Sequence, residues 1–250
     1  MYRGVYTAAM GMLVDITKID TLSNNLANVE TNGYKTDTPV FKAYFEREIY
    51  RIKPEPENRR VDLKKIGSLE QAVILDEVHT NFSQGIFEQT NVPTHLALEG
   101  QGFFAVRKGE EVLYTRNGEF IRDNLGRLVN TQGYYLLDVN GQEIRVPEKM
   151  SVSGEGNILD ETGNVIGTIG VYNLESPKKI GESLYSGNAQ RMSIENFRIL
   201  SGYVEKSNVN VVREMVKLIE AHRHYEATSK AIVVHDELLN KVINNVGALR

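Results

Sequence analysis

The chain reads as an α+β protein, with long N- and C-terminal helices forming a discontinuous, coiled-coil-like unit around an inserted antiparallel β-domain. Two apolar repeats and one series of turns predict this. Val5, Met12, Ile19 and Leu26 recur every seven residues at the start of the chain. Val211, Leu218, Tyr225, Ile232, Leu239 and Val246 do so at its end, flanked by Met215 and Val242. A seven-residue apolar repeat lays one seam along a helix and favours a helical partner that follows it. Between the two repeats, turn residues arrive at the spacing of a β-protein.

The first helix is expected over about residues 2–28, with Ala9, Ile16, Leu22 and Val29 filling the turns between seam positions. Asn24, Asn25, Asn28, Asn32 and Gly33 then end it, because these residues stop helices and favour turns. Residues 36–81 read as an extended connector. In it Phe41, Tyr44, Phe45, Ile49 and Tyr50 fit a short helix or a strand, and Val73 to His79 a strand. Lys53-Pro54-Glu55-Pro56-Glu57-Asn58 is a polar spacer biased to extended conformations by its prolines.

Residues 82–204 read as the antiparallel β-domain, a meander closing into a small barrel or sandwich. Strands are expected at 96–98, 103–106, 112–114, 120–121, 128–129, 134–139, 144–146 and 165–172. Gly100-Gln101-Gly102, Lys108-Gly109, Asn117-Gly118, Asn124-Leu125-Gly126, Gln132-Gly133 and Asn140-Gly141 punctuate them. The Asn-Gly pairs suit type I′ hairpins. Pro177 to Gly202 reads as a polar return path, and Ser207-Asn208-Val209-Asn210 as the N-cap region of the last helix. Three regions follow: 1–35 with 205–250, the connector 36–81, and the β-domain 82–204.

Composition narrows the function. With 250 residues, 41% of them apolar and 25% charged, the chain can bury a sizeable core. A net charge of −4 and no dense Lys/Arg block argue against a nucleic-acid binder; Arg59-Arg60 and Lys64-Lys65 are separated by Asp62 and apolar residues. There is no cysteine, hence no disulfide, thiolate nucleophile or Cys-ligated zinc. No run is long enough to span a membrane, and the N-terminus lacks a continuous signal-peptide core. Membrane insertion is not expected, and export would proceed without a cleaved signal peptide.

Candidate chemistry is weak at each place it arises. Gly100-Gln101-Gly102 satisfies a loose dinucleotide pattern, but that motif needs a helix after it, and Phe103 onward reads as a strand. His222 and His224 are two apart and point to different helix faces, while His235 lies almost four turns from His222. Asp138-Val139-Asn140-Gly141 opens like a calcium loop, but its glycine comes too early and the terminal Glu is missing. No Gly-x-Ser-x-Gly elbow occurs. The reading is a non-enzyme without cofactor or metal.

Three blocks, in order, carry a family resemblance. Tyr6-Thr7-Ala8-Ala9-Met10-Gly11-Met12 with Leu22-Ser23-Asn24-Asn25-Leu26-Ala27-Asn28-Val29-Glu30-Thr31-Asn32-Gly33-Tyr34-Lys35 resembles the N-terminal signature of bacterial flagellar rod and hook proteins. Phe82-Ser83-Gln84-Gly85, Leu96-Ala97-Leu98-Glu99-Gly100-Gln101-Gly102-Phe103-Phe104 and Tyr114-Thr115-Arg116-Asn117-Gly118 are similar to the family's central β segment. Ser207-Asn208-Val209-Asn210-Val211-Val212, Glu214-Met215-Val216, Ile219-Glu220-Ala221, Arg223, Tyr225-Glu226 and Ser229-Lys230-Ala231-Ile232 are similar to its C-terminal signature.

The resemblance implies a structural subunit of the basal-body rod that self-assembles helically and carries torque from motor to hook. It implies contacts with other rod and hook proteins and with the flagellar export apparatus, and a place in the periplasm-spanning rod. The Ser207–Val212 block and the long connector favour the distal-rod type, while Lys178 to Gly202 departs from it and leaves the proximal type open. The expected assembly interface is Val5, Met12, Ile19, Leu26, Asn24, Asn25, Asn28, Val211, Leu218, Tyr225, Ile232, Leu239 and Val246. Two rival readings are a β-domain oligomerised by its terminal helices and a hydrolase using His222, Glu226 and His235.

Overall fold

The computed structural model describes residues 2–44, 46–54, 61–70, 73–181 and 183–247. The expected Phe45 and the Glu55-Pro56-Glu57-Asn58 part of the spacer lie outside these. The chain divides into two compact units, one of Met1–Leu26, Asp37–Thr80 and Val211–Arg250, the other of Ala27–Thr36 and Asn81–Asn210.

The first unit holds the two helices and a β-ribbon. Helix α1 spans Tyr2–Ala27, and helix α2 spans Val211–Gly247. Neither contains a proline, and Thr17 and Thr21 donate their hydroxyls to the carbonyls four residues back, Leu13 O and Thr17 O. Just beyond α1, the Asn28 carbonyl accepts from the Thr31 amide at 3.2 Å and Asn28 Oδ1 from the Thr31 hydroxyl at 3.1 Å. Ser207 Oγ accepts from the Val209 amide, a local turn bond made before α2 begins at Val211 and not a helix cap. Asn208 does not cap: its side chain is taken by Thr36 and by the stretch of Asn81 and Ser83, described below.

The described residues of 36–81 are mostly extended, but as paired strands rather than a single tether. β1 (Asp37–Ala43), β2 (Glu46–Pro54), β3 (Val61–Glu70) and β4 (Val73–Thr80) make two antiparallel ladders, β1 with β4 and β2 with β3. Asp37 pairs with Thr80 and Ala43 with Val73, across a register shift at Val40/Phe41. Each strand of a two-stranded ribbon keeps one free edge, which is why Pro39 and Pro54 fit within it. Phe41, Ile49 and Tyr50 are therefore in strands, not in a helix.

The second unit is all-β. Its strands are β5 (Phe87–Gln89), β6 (Leu96–Gly100), β7 (Phe103–Lys108), β8 (Glu111–Thr115), β9 (Phe120–Arg122), β10 (Leu128–Asn130), β11 (Tyr135–Leu136), β12 (Ser151–Val152), β13 (Asn157–Leu159), β14 (Val165–Thr168), β15 (Val171–Lys179), β16 (Leu184–Arg191), β17 (Phe197–Ser201) and β18 (Tyr203–Glu205). The main sheet runs β15-β16-β8-β7-β11-β10-β9, and β15 pairs also with β7, so four strands close on themselves. Closure is made by Val171 opposite Phe104 and Leu184 opposite Thr115. The alternating inward residues Leu96, Leu98, Phe104, Val106, Phe120 and Leu128 anchor one buried core.

Three sequence expectations are corrected here. Pro177–Gly202 is not a polar return path: it contains the end of β15, then β16 and β17. A bulge between Glu175 and Lys178, with Ser176 at φ 54°, breaks the two-residue alternation that would have revealed these strands. Residues 144–146 form only one isolated bridge, Arg145 with Arg127, and 165–172 is split at Ile169-Gly170 into β14 and β15.

The Asn-Gly turns are not type I′, because neither Asn117 nor Asn140 has positive φ. In the Asp138 turn, Asp138 Oδ1 accepts from the amides of Asn140 and Gln142, and Gly141 adopts φ 77°. Asp123, Asn130 and Asp160 anchor turns in the same way, each with a side-chain oxygen taking the amides two and four residues on. One Asx-x-x-Gly device therefore shapes four hairpins.

Candidate assembly seam and buried charge cluster

In the first unit, α1 and α2 meet through small and polar side chains. A Cβ added to Gly4 would come within 3.0 Å of His235 Nε2, and one on Gly11 within 3.8 Å of Thr228 Cγ2. Asp15 Oδ2 lies 2.5 Å from His224 Nδ1, and Asn25 Nδ2 donates to Glu214 Oε2 at 3.3 Å. Residue numbers rise along α1 as they fall along α2, so the helices run antiparallel. Asn25, Asp15 and Glu214 are buried.

The expected seam residues of α1 sit beside this contact line. Val5, Met12, Ile19 and Leu26 are half-buried, each directly following Gly4, Gly11, Lys18 or Asn25 in sequence. On α2, Val211, Leu218, Tyr225, Ile232 and Leu239 are half-buried, and Glu214 and Ala221, which alternate with them, are buried. Asn24 is exposed, Asn25 and Asn28 are buried, and the Val246 side chain lies outside the described ones. The Asp15–His224 and Asn25–Glu214 pairs were missed; the available signal was a carboxylate, Glu214, at the alternate heptad position between Val211 and Leu218.

A second apolar line on α2 faces solvent. Val212, Met215, Val216 and Ile219, then Val233, Val234, Leu238, Val242 and Ile243, are all exposed, Val212 at 72% and Ile219 at 54%. On α1, Tyr6, Leu13 and Ile16 are exposed as well. Such a density of unburied apolar side chains marks an interaction face.

In the second unit, segments far apart in sequence converge on one buried carboxylate. Glu205 Oε1 accepts from Lys35 Nζ at 2.7 Å and from the Gly85 amide at 2.8 Å, and Glu205 Oε2 from Arg116 Nη1 at 3.4 Å. The Lys35 and Glu205 side chains have no solvent exposure. Lys35 Nζ also donates to Ser83 O, and Arg116 to the carbonyls of Leu98 and Gly100. Burial pushes the Lys35 ammonium and the Arg116 guanidinium below their ordinary pKa values, against the opposing pull of Glu205. Beside them, Asn208 Oδ1 accepts from the Thr36 amide, and Asn208 Nδ2 donates to Asn81 O and Ser83 O.

Among the described residues no catalytic arrangement emerges. Gly100 to Gly102 joins β6 to β7, with no helix after it to receive a phosphate. His222 is exposed, and His224 is held by Asp15. Among the described residues no group of three or more His, Cys, Asp or Glu could hold a metal ion. Among them, too, no helix is long and apolar enough to cross a membrane.

The blocks that meet at these two places are those shared with known proteins. Residues 6–35 match the family of flagella basal body rod proteins, residues 97–167 the flagellar hook protein FlgE/F/G D1 domain, and residues 200–245 the flagellar basal body rod FlgEFG protein C-terminal family. The chain is 31% identical to the flagellar basal-body rod protein FlgG of Bacillus subtilis, over 98% of this chain and 99% of that one. It is 32% identical to FlgG of Borreliella burgdorferi over 98% and 99%, and 29% identical to the rod protein FlgF of Caulobacter vibrioides over the whole of both chains. With all three blocks matched in order and relatives aligned end to end, the chain belongs to the flagellar basal-body rod protein family.

Proposed function

We propose that this chain is a structural subunit of the flagellar rod that assembles helically with copies of itself and transmits torque from motor to hook. A structural rather than enzymatic role, and a location in the flagellar basal body, come with the family. The observation that carries self-assembly is the apolar line Val212, Val216, Ile219, Val234 and Leu238, left in water on α2 while another face of the same helix already meets α1. Heterologous contacts that do not close into a ring extend into a helical filament, and burying such a line between neighbours drives it.

In this reading Val5, Met12, Ile19, Leu26, Leu218, Tyr225, Ile232 and Leu239 are seam residues, shared between the helix pair of one subunit and its coiled-coil-like packing on the next. Asn24, Asn25 and Asn28 fix the exit from α1. Other rod and hook proteins cap the stack at either end, and the subunit reaches the periplasm-spanning rod through the flagellar export apparatus with no signal peptide removed. The distal-rod type is favoured by the Ser207–Val212 block and by the long ribbon between Asp37 and Thr80.

Val216→Asp with Ile219→Asp tests self-assembly. Both positions are exposed, so the free subunit should melt as the wild type does, whereas each charge buried in an interface costs several kcal/mol. The expected result is export without rod growth. Normal rods from this double variant would overturn the proposal.

A further inference from the structure

Glu205 stands where the chain's N-terminal exit segment and its C-terminal approach segment meet. It ends β18, directly before the residues that lead to α2, and its carboxylate holds Lys35, in the segment that follows α1. The partners come from three stretches: Lys35 from residues 27–36, the Gly85 amide from the strand-free stretch after β4, and Arg116 from the link between β8 and β9. The Glu205 carbonyl adds a fourth tie, accepting from the Gly33 amide at 2.7 Å. None of residues 27–36 nor Glu205 belongs to the main apolar core, which is built from strands β6 to β17 and their links.

Two cations thus share one buried carboxylate. A buried ammonium is tolerated only while it is paired, and removing one partner of such a pair is far more costly than never having had it. Arg116 keeps carbonyl acceptors at Leu98 and Gly100 without Glu205, whereas Lys35 is left with the Ser83 carbonyl. Lys35 is the side chain with a way out, because it lies on a terminal segment rather than between two strands of the core sheet.

We infer that Glu205 is a latch that makes docking of residues 27–36 conditional on docking of residues 203–210. When Glu205 is missing or neutral, Lys35 leaves the interior and carries the Gly33-Tyr34-Lys35 segment with it, while the core sheet stays folded. Residues 27–36, from which α1 leads in, are then seated on the β unit only while residues 203–210, which lead on to α2, are seated too.

Hydrogen exchange on the full-length chain tests this, comparing wild type with Glu205→Gln, Lys35→Met and the double variant. Glu205→Gln should accelerate exchange across residues 27–36 on the order of a hundredfold, and leave peptides covering Phe103–Lys108 and Leu128–Asn130 nearly unchanged. Lys35→Met should keep 27–36 protected, since nothing charged then needs Glu205, and it should restore protection in the double variant. Three results would overturn the latch: equal loss of protection in the core strands or outright unfolding of Glu205→Gln, no change at 27–36, or a double variant as open as Glu205→Gln.

Discussion

Asn25 grips the backbone of Asp37 at both ends: Asn25 Oδ1 accepts from the Asp37 amide at 2.9 Å, and Asn25 Nδ2 donates to the Asp37 carbonyl at 2.8 Å. The pairing fixes the first residue of β1 against the last turns of α1 within one unit. Asn25 is fully buried, and the same amide reaches Glu214 on α2. A single asparagine therefore joins both helices and the ribbon, a task set by an amide's ability to donate and accept at once. Asn25→Ala should destabilise this unit by about 2–3 kcal/mol, because two backbone groups lose buried partners. Asn25→Asp should be worse, since it replaces the donor with a second carboxylate facing Glu214. Urea titrations of the three proteins check the order.

Gly33 sits at φ 70° with its Cα against the Arg116–Asn117 peptide, where an added Cβ would lie 2.4 Å from both the Arg116 carbonyl carbon and the Asn117 amide nitrogen. Gly33→Ala meets the left-handed penalty and a clash with backbone that cannot rotate away. A loss of about 3 kcal/mol or more is expected, read as a lowered Tm of the β unit. Gly109, also at positive φ but with open space around it, should accept Ala at about 1–2 kcal/mol.

The pH response of the charge cluster has a defined sign. Lys35 titrates below its ordinary value in the folded protein because it is desolvated. Between that folded value and the unfolded one near 10.4, the unfolded chain holds more protons, so stability rises with pH. The gain is lost as pH falls across that same window and is absent below the folded value. Lys35→Met should abolish this alkaline gain, visible as a wild-type minus variant stability difference that climbs with pH up to the unfolded value.

The ribbon leaves Val40, Val73, Leu75 and Val78 exposed on a two-stranded ladder, an element that is marginal by itself in water. In assembled rods a neighbour should cover it. Amide exchange across Val73–Thr80 should then be fast in the free subunit and at least tenfold slower in the rod. Equal rates in the two states would leave the ribbon without an assembly role.

Much of this was legible in the residues. The span of α1 and the start of α2, most short strands of the β unit, and the Asx-Gly turns follow from local rules, since capping, periodicity and turn chemistry act within a few residues. The strands of 177–202 were hidden because a bulge at Ser176 shifts the alternation by which a strand is recognised. The ribbon was hidden because its partners, Asp37 and Thr80, are far apart and its polar, proline-containing stretches look like a tether.

The seam divides along the same line. The heptad of α2 places Val211, Leu218, Tyr225 and Ile232 on one face by helical geometry alone, and the sequence determined that much, together with the family. It could not determine that α1 would meet α2 at Gly4, Gly11, Asp15 and Asn25, beside the half-buried Val5, Met12, Ile19 and Leu26. An apolar stripe says only that a face seeks cover, while close approach of two helices is decided by which side chains on both leave room. The cluster at Glu205 is wholly tertiary: Lys35 lies 170 residues from its carboxylate, and neither charge signals burial until the chain has brought the other to it.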